Sequence, residues 1–235
     1  MLNTHASFYR SRYAMGLLDA LRGEKAKAPA LDLKDVYDTS MKDLPEPRIP
    51  GFDKALNEAI RDYNARENVR KNEIFQFEEA KRREPDFYLP YYWIATYHME
   101  HKNFPVAIEA LREGIAKVNT KSVLCRRLGE CYLWTGDLEK AIYWLCTAVM
   151  AGDQTDYHAY LYLGYISNVF GMKKASEWAI RRARGISYQL TYIVIEYKKE
   201  DMERIKEQAR QHRTERAGKM LETFYPYAKK ALGYL

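Results

Sequence analysis

Residues 125–137 read Cys125-Arg126-Arg127-Leu128-Gly129-Glu130-Cys131-Tyr132-Leu133-Trp134-Thr135-Gly136-Asp137, and Ala141, Leu145 and Ala148 follow. Apolar residues recur at three- and four-residue steps on both sides of a Gly-Asp break, the signature of two short helices joined by a tight turn. The arrangement is present twice more. Upstream stand Tyr91, Ile94, Ala95 and His98, a turn placed at Asn103, then Ala107, Leu111 and Gly114. Downstream stand Tyr160, Leu163, Gly164 and Ser167, a turn at Gly171, then Ser176, Ile180 and Ala183. Small residues therefore recur at 95, 129 and 164, at 107, 141 and 176, and at 114, 148 and 183, each series advancing by 34 and then 35.

A small side chain is needed where two helices of a hairpin come closest, because a large one would force them apart. The large apolar residues between fill the space to the next unit, so neighbours stabilise one another. With Leu128, Gly129, Tyr132 and Ala141 at these spacings, the chain resembles the tetratricopeptide-repeat family over about residues 88–186, although all three units lack the family's Trp. The resemblance implies an all-α, right-handed α-solenoid of helix-turn-helix repeats.

Outward from the array, Phe77, Ala80 and Pro85 fall where the second helix of a preceding unit would end, so residues 51–87 are expected to form a degenerate repeat. Residues 1–50 hold an amphipathic stripe, Tyr13, Ala14, Leu17, Leu18 and Leu21, stopped by Gly23 and followed by a polar stretch with Pro45, Pro47 and Pro50. These predict a detached N-terminal helix and a linker. It either caps the array or occupies a groove. At the other end, residues 187–235 are expected to cap the array: Ser187 to Tyr197 as a further first helix, then Met202, Ile205, Ala209, Ala217, Met220 and Phe224 along one stripe of a long helix that Pro226 bends or ends.

Composition restricts the function classes. Hydrophobic residues make up 47% and charged residues 30%, enough for a core and a solvated surface. No run approaches a membrane span, and Arg10, Arg12 and Asp19 interrupt the first residues, so a cytoplasmic location without a leader is expected. Residues 1–120 carry 19 charges of each sign, which leaves the whole net charge of +6 in 121–235. That favours an acidic partner or weak attraction to nucleic acid. Cys125, Cys131 and Cys146 have no Cys-x-x-Cys spacing and fall at packing positions of repeat helices, so they read as buried thiols rather than nucleophiles or ligands. His98 and His101 share a helix, but His98 takes the position of a core Tyr in the family pattern. No glycine-rich phosphate loop is present, and a non-enzyme with no cofactor and no metal is expected.

In the family the first helix of each repeat lines a concave groove, and this places Tyr92, Trp93, Thr96, Arg126, Arg127, Glu130, Trp134, His158, Tyr162 and Tyr165 there as partner-binding residues. An aromatic and basic lining suits a protein or peptide with apolar anchors and an acidic group, since Arg pairs carboxylates in bidentate fashion and rings bury large area at small entropic cost. Replacing Arg126 and Arg127 is expected to weaken capture while leaving the array folded. The Lys and Asn set with which chaperone-cofactor members of the family grip a C-terminal carboxylate is absent: Tyr92, Thr96, Arg127, His158 and Tyr162 stand there. The expected function is an adaptor or scaffold subunit, with self-association open. The alternatives are a nucleic-acid-associated subunit of a ribonucleoprotein assembly, which Glu130 and Asp156 count against by interrupting the positive field, and a secretion-type chaperone.

Overall fold

The computed structural model describes Leu33 and residues 39–44, 73–152, 156–190 and 199–232, all within the unit Leu33–Leu235. The expected N-terminal helix, the first half of the degenerate repeat and most of the expected first helix at 187–197 lie outside these residues. The described residues are helical with no strand: α1 (Glu73–Arg83), α2 (Tyr88–Glu100), α3 (Phe104–Lys117), α4 (Ser122–Trp134), α5 (Leu138–Ala151), α6 (Tyr157–Val169), α7 (Lys173–Leu190), α8 (Lys199–Gln211) and α9 (Glu215–Ala231), besides a short 3₁₀ turn at Thr39–Met41.

Three hairpins, α2 with α3, α4 with α5 and α6 with α7, account for the closest packing, and each lies against the next. The small-residue series explain why. A Cβ added at Gly129 would stand 2.8 Å from Leu145 Cγ, and one at Gly164 would stand 2.8 Å from Ile180 Cγ1. At Gly114 it would meet Leu124 and Tyr91, both at 2.7 Å. Ala95, Ala107, Ala141 and Ala183 are fully buried, as the same close approach requires.

The three turns are built alike. Each first helix ends with paired bonds: Lys102 N–H to Met99 O and Asn103 N–H to His98 O, Gly136 to Leu133 and Asp137 to Tyr132, Gly171 to Asn168 and Met172 to Ser167. This is the Schellman arrangement, which needs a left-handed residue after the helix. Gly136 has φ 83° and Gly171 φ 73°. In the first hairpin that place falls on Lys102, φ 57°, one residue before the Asn103 that the sequence pattern suggests. Asn103 instead starts α3, accepting at its carbonyl the Ala107 N–H.

α1 packs on α2 through Phe77, which is fully buried with Ile94 and Ala110 and flanked by Trp93 and Tyr97. It ends at Arg83, before Pro85. Part of the expected linker joins the middle hairpin. Asp43 accepts the Lys121 N–H at 2.6 Å and the Ser122 N–H at 2.8 Å, so it caps α4, and its own N–H donates to Ala151 O at the end of α5.

The C-terminal region differs from the expected single long helix. α8 ends at Gln211 and α9 begins after Thr214, whose extended backbone and hydroxyl, accepting the Ala217 N–H at 3.0 Å, form an N-cap. Pro226 does not end α9, which runs on to Ala231. Its ring is exposed, while Phe224, Tyr225 and Ala228 anchor the helix on both sides of it. α9 packs on α5, whereas α8 lies across α6 and α4.

Candidate functional site

The first helices α2, α4 and α6 bring most of the expected residues together, in two groups joined through α4. The first group is a network of charge. Arg126 donates from Nη1 to Glu130 at 2.5 Å and from Nε to Asp156 at 2.7 Å. Arg127 donates to the other Glu130 oxygen at 2.6 Å and from Nη2 to the Thr96 hydroxyl at 2.8 Å, and that hydroxyl donates to Tyr92 O at 2.8 Å. The two guanidinium carbons lie 5.9 and 5.0 Å from the Tyr92 ring centroid. His158 completes the group, its backbone N–H donating to Asp156 at 3.0 Å and its Nδ1 3.5 Å from the same carboxylate.

This network differs from a cationic lining. The side chains of Arg126, Glu130 and Asp156 are 7%, 2% and 10% exposed, and the two arginines are balanced by two carboxylates. Charge removed from water in this way requires close partners and full hydrogen bonding. Burial by itself would raise the Asp156 carboxyl, but Arg126 and His158 beside it outweigh that and bring it from 3.8 down to about 2. Glu130 is likewise pushed up by burial and held below its ordinary value by Arg127 and Arg126. The arginines thus tie the first unit, through Thr96 and Tyr92, to the third, through Asp156. Asp156, expected only as an interruption of the positive field, pairs directly with Arg126 from 30 residues away. Its one local signal is its place just before an apolar helix, where it caps α6.

The second group lies under α8. The Arg204 guanidinium stands 4.3 Å from the Trp134 ring centroid, and Lys206 Nζ stands 6.0 Å from that of Tyr165. Ile205, 1% exposed, and Ala209, fully buried, form the apolar stripe of α8. His212, just beyond α8, packs directly over Gly136. Tyr162 and Tyr165 are buried, at 6% and 8% exposure. Trp93 meets the Tyr92 ring edge-to-face, centroids 5.3 Å apart, and stacks on Phe77 of α1, centroids 6.1 Å apart. On the first-helix face Leu89, Tyr92 and Met99 of α2 are half-buried, as is Trp134 of α4 beneath Arg204.

The three cysteines are fully buried, and burial pushes their thiols up, Cys131 to about 12. His98 packs edge-on against Tyr97, with burial lowering its pKa, and His101 Nδ1 lies 2.7 Å from Tyr97 O. No group of His, Cys, Asp or Glu among the described residues is arranged to hold a metal, and no described helix is long and apolar enough to cross a membrane. No family model matches the chain, and no curated protein or solved structure is significantly similar to it.

Proposed function

We propose that the chain is a non-enzymatic adaptor of the tetratricopeptide type, whose units continue one another as a right-handed solenoid and whose first-helix face holds a segment of a partner protein. The observation that carries this reading is the character of α2. Its sequence, Tyr88-Leu89-Pro90-Tyr91-Tyr92-Trp93-Ile94-Ala95-Thr96-Tyr97-His98-Met99-Glu100, is apolar or aromatic on every side, yet Leu89, Tyr92 and Met99 remain half exposed. A helix with no polar face is normally enclosed, so these partly exposed side chains favour a partner with apolar anchors. Arg126 and Arg127 contribute shape and rigidity beneath Tyr92, and their engagement with Glu130 and Asp156 makes an acidic anchor secondary.

Affinity purification from cells, with and without nuclease, tests the reading. A protein retained after nuclease by the unaltered chain, and reduced about tenfold by Leu89→Ser with Tyr92→Ala, is the expected result. Equal retention by the variant removes α2 as the site.

One observation favours the nucleic-acid alternative. α7 carries five cations, Lys173, Lys174, Arg181, Arg182 and Arg184, against Glu177 alone. Nucleic acid held there would give affinity falling steeply with added salt, and a partner lost on nuclease treatment.

A further inference from the structure

We infer that the face built by α4 and α6 is a receptor for an amphipathic helix bearing an aliphatic residue between two long cations, and that α8 is its resident occupant, displaced when a partner helix of the same chemistry binds. The inference rests on the adaptor reading of the first-helix face and names the partner's chemistry and the regulation of that face.

The contacts specify the occupant. Ile205 is buried at the centre, with Ala209 one turn later allowing close approach. Arg204 and Lys206 splay to either side, the first over Trp134 and the second toward Tyr165. Cations over ring faces are attracted by the ring quadrupole, most strongly over Trp. A neutral or acidic side chain at 204 would forgo this contact. Within α8, Lys206 also pairs with Glu203 at 2.8 Å, Arg210 pairs with Glu207 at 3.2 Å, and Gln211 bonds Glu207 at 3.0 Å.

Comparison with α9 indicates which of the two exchanges. α9 buries Ala217, Met220, Leu221, Phe224, Tyr225 and Ala228, and bonds Ser167 through Tyr225 at 2.8 Å and Glu139 through Thr214 and Arg216. Among the described side chains of α8 the buried ones are Ile205 and Ala209, with Met202 half-buried and two cation–ring contacts beside them, and just beyond the helix His212 and Arg213 lie against Gly136 and Phe170. A tethered helix of this kind competes through its high effective concentration rather than through its own affinity. A free helix with the same side chains should bind weakly while α8 is in place and much better once α8 is loosened.

The test uses a fluorescein-labelled synthetic peptide with the sequence of residues 199–213, titrated by anisotropy into three full-length chains: unaltered, Ile205→Asp and Arg204→Ala. The expected result is affinity at least tenfold higher for Ile205→Asp than for the unaltered chain, with Arg204→Ala between them. Trp134→Ala added to Ile205→Asp should abolish binding. Equal affinity for all three chains, or binding to none, overturns the inference. Should Ile205→Asp lose its helical circular dichroism, Arg204→Ala decides, since Arg204 is exposed, and no gain there overturns the inference. Dimerisation of the unaltered chain in light scattering, together with unchanged peptide binding, would assign the face to a second copy and also overturn it. The assay needs no natural partner. Failure of the purification with Leu89 and Tyr92 altered is therefore separate from failure here.

Discussion

Arg126 stands between two carboxylates from different units, Glu130 at 2.5 Å and Asp156 at 2.7 Å, and its side chain is 7% exposed. Removing one member of such a cluster strands the others, at a cost of about 3–5 kcal/mol. Arg126→Ala is accordingly expected to lower the unfolding free energy measured in urea by that amount, and a loss under about 1 kcal/mol would mean the cluster is solvated. The pH dependence follows from Asp156, whose folded pKa of about 2 lies below its ordinary 3.8. A depressed carboxyl contributes stability that is present above its unfolded pKa and lost as pH falls through its folded pKa. Stability should thus decline between pH 4 and pH 2, and Asp156→Asn should flatten that part of the profile in thermal melts. This is also where the sequence misled. Helical projection put Arg126 and Arg127 beside Glu130 and counted Asp156 only against the positive field, because a one-dimensional pattern does not show that two residues 30 apart are in hydrogen-bond contact. Lys102 is the converse case: at φ 57° it holds a left-handed place that glycine fills in the other two hairpins. Lys102→Gly should stabilise the chain by up to about 1 kcal/mol, read as a higher denaturation midpoint.

At the scale of elements, the hairpins were the most legible part of the chain, because close helix approach writes small residues at fixed spacing. Gly129 shows the constraint in one atom: the added Cβ of Ala would meet Leu145 Cγ at 2.8 Å and the backbone Ala141 O at 3.2 Å. The gain in helix propensity, about 1 kcal/mol, does not offset an overpacking cost of about 1–3 kcal/mol plus displacement of α5. Gly129→Ala should therefore destabilise, and a neutral effect in chemical denaturation would show that the α4–α5 spacing is looser than described. The C-terminal helices were less legible. Their stripe, Met202 to Phe224, continues in phase across the break, and only the capping geometry of Thr214 divides it. Thr214→Ala should cost about 1 kcal/mol and raise hydrogen exchange in the first turn of α9.

For the molecule as a whole, the small-residue periodicity and the neutralised arginines point the same way. The charge cluster locks consecutive units together, α8 covers the second and third units, and Leu89, Tyr92 and Met99 of α2 stay partly exposed. Arg126 and Arg127, expected to meet an acidic group, are engaged by Glu130 and Asp156, and the proposed partner is therefore anchored first through apolar groups. The family resemblance put Tyr92, Thr96, Arg126, Arg127 and Glu130 on one expected face, and the structure brings them together, whereas which of their charges are engaged depends on contacts between units. Site-specific photo-crosslinking tests the central claim most directly: a benzophenone amino acid at position 92 on α2, compared with one at Val106, 38% exposed on α3. The account predicts a discrete protein adduct in cells from position 92, unchanged by nuclease and absent from position 106. No adduct, a nuclease-sensitive one, or the same adducts from both positions would contradict it.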